Sequence, residues 1–238
     1  DAVVRVENTS KIDKKIQIRK AVSPGENISE KGSEIEKGSI IARKDEKISA
    51  QVHRALSAVN TREVEVVKRP KIGVISSGEE IIKPGQKLEL GQIYDVNGPA
   101  ICDAVELCGG ESSYLGIVGD DISRIKERLK EGISRYDLVI ISGGSSAGSK
   151  DVVPEAINEL GDPGVVVHGL AQKPGKPTIV SVVNNKPIFG LPGYPVSALM
   201  VFDQLVAPYI RKMSDFPESK RREVEAKLFR KVLTARGR

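Results

Sequence analysis

A glycine-rich segment at residues 142–151 is the part of this chain whose residues are best suited to chemistry. It reads Ser-Gly-Gly-Ser-Ser-Ala-Gly-Ser-Lys-Asp and directly follows the apolar run 138–141. Glycines let a backbone approach a ligand closely, and free N–H groups at a loop or a helix N-terminus favour an anion. Asp151 ends the segment with a carboxylate, which suits a cation. The segment therefore predicts a site for an anionic ligand, with a cation bridging the ligand to Asp151.

Two standard phosphate-binding loops do not fit this segment. The P-loop places Lys and then Ser or Thr directly after its last glycine. Here Ser149 separates Gly148 from Lys150, and Asp151 stands where the hydroxyl would be. The dinucleotide fingerprint Gly-x-Gly-x-x-Gly is also absent from the segment. An ordinary strand-to-helix turn made of small residues stays open as the alternative.

Each of four further polar segments is predicted to lie directly after a strand, or directly before a strand or a helix. They are Ser-Ser-Gly-Glu-Glu (76–80), Gly-Asp-Asp (119–121), Lys-Pro-Gly-Lys-Pro (173–177) and Gly-Leu-Pro-Gly-Tyr-Pro-Val-Ser (190–197). Ligands of parallel sheets bind beyond the carboxyl ends of the strands, so these segments are expected to share one rim. Lysines neutralise phosphate as point charges, and carboxylates beside an anion indicate Mg²⁺ or another hard cation. As alternatives, the 120–121 pair could cap a helix, and Glu79 and Glu80 could be plain turn residues.

Alternating strands and helices from Lys71 onward predict an α/β domain with a mainly parallel sheet. Its strands are predicted at 72–76, 113–118, 138–141, 165–167, 178–183 and 187–189, and its helices at 97–108, 122–133, 152–160 and 196–212. Residues 1–69 have β-like stretches at 3–6, 15–19, 39–42 and 64–67 and a short helix at 49–59. Residues 214–222 indicate a linker, and a β pattern resumes at 223–235. Both ends of the chain begin or stop within such patterns, which indicates a piece of a longer protein.

The composition argues against several functional classes. The chain has 238 residues, a net charge of +5 and 4% aromatic residues without Trp, so we expect no base-stacking surface and no nucleic-acid partner. It has no apolar run near the roughly 18 residues of a membrane span, so we expect no membrane partner and a cytoplasmic location. Cys102 and Cys108 would lie about 9 Å apart along a helix, beyond disulfide range, and are expected in the core. The two histidines show no zinc-ligand spacing.

Taken together and in order, the polar segments resemble the molybdopterin molybdenumtransferases, the MoeA-like enzymes related to the gephyrin E domain. The resemblance rests on residues 77–80, Gly-Gln-Ile-Tyr-Asp-Val-Asn at 91–97, and the segments 119–121, 142–151, 173–177 and 191–197. It implies a three-layer, mainly parallel molybdopterin-binding domain at 70–213. It also implies a β-rich linker region at 1–69, N-terminally truncated, and the start of a truncated C-terminal β domain within 214–238.

The resemblance also implies a reaction and its participants. Members of this family insert molybdenum from molybdate into adenylylated molybdopterin with release of AMP. They use Mg²⁺ and work as elongated homodimers. The enzyme that supplies the adenylylated pterin, the molybdopterin adenylyltransferase, is an implied partner.

Carried over by position, the family's site residues fall on named residues of this chain. The implied acidic residues are Glu80, Asp120 and Asp151, which would also bind the metal, together with Glu34, which would face the partner subunit's site. The implied pterin- and phosphate-binding residues are Ser142, Gly143, Gly144, Ser145, Ser146, Gly148, Lys173, Gly175, Lys176, Pro192, Gly193 and Ser197. The chain departs from the family pattern where Tyr194 replaces the usual Asn and where Glu34 replaces the more frequent Asp.

Two other functions stay open at this point. The adenylyltransferase that makes the adenylylated pterin from ATP has a similar sheet domain and glycine loop, but the 1–68 region and the Leu-Pro-Gly-Tyr-Pro segment argue against it. A non-catalytic module that binds molybdopterin or a protein partner is the other, and the intact set of acidic residues argues against it.

Overall fold

The computed structural model describes residues 1–144, 152–216 and 223–230. The chain divides into two compact units, Asp1–Val64 and Glu65–Arg238. The finer domain boundaries at 69/70 and 213/214 stay a prediction. In the described residues, no helix is long and apolar enough to cross a membrane.

The first unit has little regular structure. A single 3₁₀ turn at Val6–Asn8 leads into a hairpin of strands β1 (Thr9–Ile12) and β2 (Lys15–Ile18), which pair antiparallel. Helix α1 (Ala50–Ala58) confirms the predicted helix. It begins after Ser49, whose hydroxyl accepts a hydrogen bond from the Val52 N–H at 3.3 Å.

Three strands predicted for residues 3–6, 39–42 and 64–67 are wrong. The Val3 N–H donates to the Glu26 carbonyl at 3.0 Å and the Val3 carbonyl accepts from Asn27 Nδ2 at 2.8 Å, so its backbone bonds to a turn and not to a strand. Val64, Val66 and Val67 are exposed. Their β-branched side chains favour extended backbone, but a strand also needs a neighbour to pair with. Likewise, described residues 223–230 contain no strand of the predicted C-terminal β pattern.

The second unit contains the predicted α/β sheet. Its strands are β3 (Lys71–Ser77), β6 (Glu111–Val118), β7 (Leu138–Ser142), β8 (Pro163–His168), β9 (Ile179–Val183) and β10 (Lys186–Leu191), and a small parallel pair, β4 (Ile81–Ile82) and β5 (Ile93–Tyr94), lies apart from them. The strand order is β6-β3-β7-β10-β9-β8. The first four strands run parallel, whereas β9 runs antiparallel to β10 and β8. The sheet is therefore mainly parallel, as predicted.

Helices cover both faces of this sheet, because its central strands are apolar on both sides. The helices are α2 (Asn97–Leu107), α3 (Ile122–Arg135), α4 (Val152–Asn158), α5 (Pro195–Val201) and α6 (Ala207–Met213). In β7, Leu138 and Ile140 pack with α2, α5 and α6, whereas Val139 and Ile141 pack with α3 and α4. The result is the three-layer architecture that the resemblance implied, with predicted strand and helix ends within two residues of the observed ones.

The last predicted helix, 196–212, is interrupted. A π-helical turn at Phe202–Val206 separates α5 from α6. Pro208 has no N–H and its ring would clash with the carbonyl four residues earlier, so the backbone must widen before it. Periodicity alone did not reveal this break.

The topology opens a crevice at the carboxyl ends of neighbouring strands. After β3 the chain goes on to α2 on one face of the sheet, and after β7 it goes on to α4 on the opposite face. When the connections after two adjacent parallel strands go to opposite faces of the sheet, a space remains between them. Ligands of open α/β sheets bind in this space.

Candidate functional site

The predicted site segments lie at one edge of the sheet. Residues 78–80, 119–120, 143–144 and 192–193 directly follow the parallel strands β3, β6, β7 and β10. Because β9 runs antiparallel, its first residue, Ile179, lies opposite Gly190 near the end of β10. The turn at 173–177 precedes β9 and therefore reaches the same edge.

Ser77, the last residue of β3, connects three of these segments. Its hydroxyl donates a hydrogen bond to Asp120 Oδ1 at 3.1 Å, and the Asp120 N–H donates to Glu79 Oε1 at 3.1 Å. The Gly78 N–H donates to the Val118 carbonyl at 3.1 Å. These bonds hold the loop after β3 against the loop after β6, and they place the exposed Asp120 carboxylate at the crevice.

Asp120 and Asp121 have different roles despite being neighbours. Asp121 is the N-cap of α3, where its Oδ1 accepts a hydrogen bond from the Arg124 N–H at 2.9 Å. The sequence allowed either residue to be a cap or a ligand. The structure assigns the cap to Asp121 and leaves one Asp120 carboxylate oxygen without a hydrogen bond to any described residue.

The start of the glycine-rich loop packs against Ser77. A Cβ on Gly143 would lie 2.0 Å from the Ser77 carbonyl oxygen, and one on Gly144 would lie 2.9 Å from Ser77 Oγ. Both residues have positive φ angles, +105° and +64°. Only glycine fits such an approach without strain, so the backbone itself forms this wall of the crevice. Ser145, Ser146, Gly148 and Asp151 belong to the same predicted loop and lie outside the described residues.

The loop after β10 is the opposite wall. A Cβ on Gly193 would lie 3.7 Å from the Gly143 Cα, so the two loops are in van der Waals contact. Ser142 Oγ donates to the Pro192 carbonyl at 3.3 Å. Pro192 is buried, Gly193 is exposed and Ser197 is half-buried in α5. Ser142, Gly143, Gly144, Pro192 and Gly193 therefore come together as the sequence predicted.

The lysine turn is fixed by its own hydrogen bonds. Thr178 Oγ1 donates to the Gly175 carbonyl at 2.6 Å, and the Leu170 N–H donates to the Lys176 carbonyl at 2.8 Å. Gly175 has a φ of +112°. Lys173 and Lys176 are both exposed, so their ammonium groups are accessible to an anionic ligand.

The remaining predicted acidic residues are less connected. Glu80 is exposed, and one carboxylate oxygen would lie 2.9 Å from a Cβ on Gly78, which places its side chain over the turn after β3. Glu34 belongs to the first unit, where its carboxylate is 3.7 Å from the Arg54 guanidinium. Its side chain is 75% exposed, so the carboxylate is accessible to a ligand or a partner.

No group of three or more Asp, Glu, His or Cys residues in the described part of the chain is arranged to hold a metal. The donors that Asp120 and Glu80 provide are carboxylate oxygens, which Mg²⁺ prefers. These residues therefore fit a hard cation by chemistry, and the third predicted ligand, Asp151, lies outside the described residues.

Asp95 and Asn97 were not assigned a role from the sequence, although both belong to the 91–97 motif. Asp95 is 4% exposed and accepts hydrogen bonds from Ser76 Oγ at 2.8 Å, from the Gly98 N–H at 3.0 Å and from the Tyr114 hydroxyl. Burial, and then the hydrogen bond to Asp95, raise the pKa of Tyr114. A buried carboxylate is stable only when it is paired in this way. An Asp two residues before a predicted helix was the available signal.

A separate cavity of about 410 Å³ lies beside the edge strand β6 and shares only Gly119 with the loops just described. Its polar lining comes from the outer face of α3. It is lined by Ile117, Val118, Gly119, Arg124, Glu127, Arg128 and Glu131.

Comparison with known families matches almost the whole chain. Residues 73–212 match the family described as "Probable molybdopterin binding domain". Residues 1–60 match the MoeA N-terminal region, domains I and II.

Curated relatives and solved structures agree with these families. A molybdopterin molybdenumtransferase of Staphylococcus aureus is 34% identical over 213 residues, which is 90% of this chain and 51% of the relative. Molybdopterin molybdenumtransferase 2 of Mycobacterium tuberculosis is 32% identical over 241 residues, 100% of this chain and 60% of the relative. A molybdopterin biosynthesis MoeA protein from Pyrococcus horikoshii aligns with a TM-score of 0.70 and 42% identity, over 90% of this chain and 53% of that one. The chain thus spans about half the length of the relatives that it matches.

Proposed function

The chain belongs to the family of molybdopterin-binding domains matched by residues 73–212, and from that premise we propose that it acts in molybdenum insertion. The proposed reaction transfers molybdenum from molybdate to adenylylated molybdopterin and releases AMP. The observation that supports it most is the convergence on Ser77 of Asp120 and of the Gly143–Gly144 backbone. An anion-accepting backbone and a carboxylate then share one crevice, as a phosphoanhydride substrate accompanied by a cation requires.

The residues of the crevice divide this work between them. The glycine backbone after β7 and the ammonium groups of Lys173 and Lys176 would bind the phosphates and stabilise negative charge on the departing AMP. Ser142, Gly175, Pro192, Gly193 and Ser197 would orient the pterin. Among the residues of the same loop that lie outside the described part, Ser145, Ser146 and Gly148 would complete the phosphate contacts.

Asp120, Glu80 and Asp151 would hold Mg²⁺ when it is bound. The ion supplies charge neutralisation at the phosphoanhydride. For this chain, Asp120 is held in position by the Ser77 hydroxyl and by its own N–H bond to Glu79. The other carboxylate oxygen of Asp120 has no hydrogen bond to a described residue and would be the one to contact a ligand.

Neighbouring aspartates provide a matched test of this proposal. Asp120→Asn is expected to lower molybdate-dependent AMP release at least about 100-fold, above the range for groups that only support a metal ligand. Asp121→Asn should keep activity, because Asn caps a helix about as well as Asp. Asp151→Asn should behave like Asp120→Asn. Full activity and unchanged Mg²⁺ dependence of Asp120→Asn would contradict the assignment.

The same assay separates the other two functions. An adenylyltransferase would consume ATP when supplied with bare molybdopterin. A non-catalytic module would bind adenylylated molybdopterin tightly and release no AMP on addition of molybdate. The proposal predicts AMP release with molybdate and no ATP consumption.

We also propose that the protein is a cytoplasmic homodimer in which Glu34 reaches the partner subunit's site. The adenylylated pterin would be transferred to it from the molybdopterin adenylyltransferase. The exposed Glu34 carboxylate supports this arrangement. Mixing inactive Glu34→Gln and Asp120→Asn subunits should restore about a quarter of the activity, because half of the random dimers then hold one intact site of two. If each site were built from one subunit alone, the mixture would stay inactive.

A further inference from the structure

We propose that Asn97 is the positioning residue of this site: its amide fixes the distance between the loop after β7 and the loop after β10, and so sets the width of the crevice. This inference rests on the proposed function only for the identity of the ligand. The side-chain nitrogen of Asn97 contacts both loops. Nδ2 donates to Ser142 Oγ at 2.9 Å and to the Gly193 carbonyl at 2.7 Å.

The Asn97 bridge lies where the pairing of β7 with β10 ends. Sheet pairing between β7 and β10 ends at Ser142 and Leu191, with one more backbone bond from the Gly143 N–H to the Leu191 carbonyl at 3.1 Å. Beyond that point the chain goes on to α4 on one face and to α5 on the other. Asn97 therefore joins the two segments just beyond the point where β-sheet hydrogen bonding between β7 and β10 ends.

Apart from this bridge, two described hydrogen bonds join the ends of these strands: the Gly143 N–H to the Leu191 carbonyl at 3.1 Å and Ser142 Oγ to the Pro192 carbonyl at 3.3 Å. Gly143 and Gly144 adopt left-handed backbone angles, and glycine has the greatest conformational freedom of all residues. Among the described residues, only the Gly143 Cα lies within 4 Å of the position that a Cβ on Gly193 would occupy. Two hydrogen bonds from one amide group therefore constrain both walls of the crevice at once.

Asn97 itself is positioned by the buried Asp95 carboxylate. Asp95 Oδ1 accepts hydrogen bonds from the Asn97 N–H at 3.2 Å and from the Gly98 N–H at 3.0 Å. These are the first N–H groups of α2, which have no partner within the helix. Ser76 and Tyr114 fix the other oxygen of Asp95. The β3 strand thus positions the start of α2, and α2 positions the amide.

The amide is the group that this role requires. Gly193 offers a carbonyl, which only accepts, and Ser142 Oγ uses its proton toward the Pro192 carbonyl at 3.3 Å, so both partners of Asn97 need a donor. Asn provides two donor hydrogens on one nitrogen. An isosteric Asp provides none, and its charge would repel the Gly193 carbonyl.

Asn97→Asp separates positioning from folding. A carboxylate in the first turn of a helix is favourable to the helix, so α2 should stay folded while the bridge is lost. The first measurement uses ligand-free protein: hydrogen–deuterium exchange of peptides covering 142–144 and 192–194 should become at least about tenfold faster. Asp103→Ala, an exposed position on the same helix, is the control and should leave both peptides unchanged.

The second measurement is binding of adenylylated molybdopterin. Its Kd should rise about 10- to 100-fold in Asn97→Asp, as for loss of supporting groups around a site, and should not change in Asp103→Ala. Asn97→Ala, which removes the bridge without adding charge, should give the same two results and covers the case in which Asn97→Asp does not fold. Unchanged exchange in both Asn97 variants would overturn the inference. Faster exchange with no pterin binding by the unaltered protein would instead refute the proposed function and leave the positioning role intact.

Discussion

Replacing Gly143 by Ala tests whether the loop after β7 needs its close approach to Ser77. Two costs follow from the structure. A side chain at a φ of +105° is strained by about 1–2 kcal/mol, and the new Cβ would lie 2.0 Å from the backbone carbonyl oxygen of Ser77. That oxygen belongs to a buried strand and cannot move aside alone. Relieving such an overlap costs about 1–3 kcal/mol more, so Gly143→Ala should lower the free energy of unfolding by about 2–5 kcal/mol.

Gly85→Ala is the matched control for this prediction. Gly85 has a similar φ of +90°, but no atom of the described residues lies within 4 Å of its Cβ position. Gly85→Ala should lower the free energy of unfolding only by the backbone strain, about 1–2 kcal/mol. Urea unfolding of both variants should show Gly143→Ala less stable than Gly85→Ala by about 1–3 kcal/mol, and its affinity for adenylylated molybdopterin should fall while that of Gly85→Ala stays. Equal losses of stability would refute the reasoning from contact, and unchanged affinity would refute the role of this wall.

Three further predictions concern the groups that support the crevice. Asp95→Ala should lower the free energy of unfolding by about 2–5 kcal/mol in urea unfolding, since each buried donor left unpaired costs roughly 1–3 kcal/mol; a loss under about 1 kcal/mol would contradict its central role. Asp121→Ala should cost about 1 kcal/mol and Asp121→Asn almost nothing, because only the N-cap of α3 is affected; equal losses would refute the cap. The free energy of unfolding should fall above about pH 10, because unfolded Tyr114 then loses its proton while the folded phenol, whose pKa is raised, keeps it. Tyr114→Phe should reduce this slope by less than about 1.4 kcal/mol per pH unit, because Tyr114 is 38% exposed, and an unchanged slope would contradict the contact with Asp95.

The architecture of the second unit was predictable because its signals are local and strong. The continuous apolar run of β7 is typical of a strand buried on both faces, and helix α3 carries Ile125, Leu129 and Ile133 on one buried stripe. Parallel strands place their following loops at one edge, which is why the segments after β3, β6, β7 and β10 could be grouped in advance.

The first unit was harder, because β-branched residues do not by themselves determine strands. The stretches at 3–6, 39–42 and 64–67 have the composition of strands, yet in the described residues none of them pairs with another strand. Strand formation depends on a partner that is often distant in sequence, and a local pattern carries no information about that partner.

The supporting residues of the site were missed for a similar reason. Asp95, Asn97 and Tyr114 make contacts with residues 19 to 96 positions away in sequence. A buried Asp and a bridging Asn look like turn residues in the sequence. Their role follows only from the fold, which brings the start of α2 under the ends of β7 and β10.

A crystal structure with adenylylated molybdopterin would show directly whether the ligand binds in this crevice. We expect the ligand in the crevice at the carboxyl ends of β3, β7 and β10, with its phosphates beside Asp120 and within about 3 Å of backbone donors of the loop that begins at Gly144. Density for the ligand in the cavity between Arg124 and Arg128, or at any site away from these loops, would contradict it.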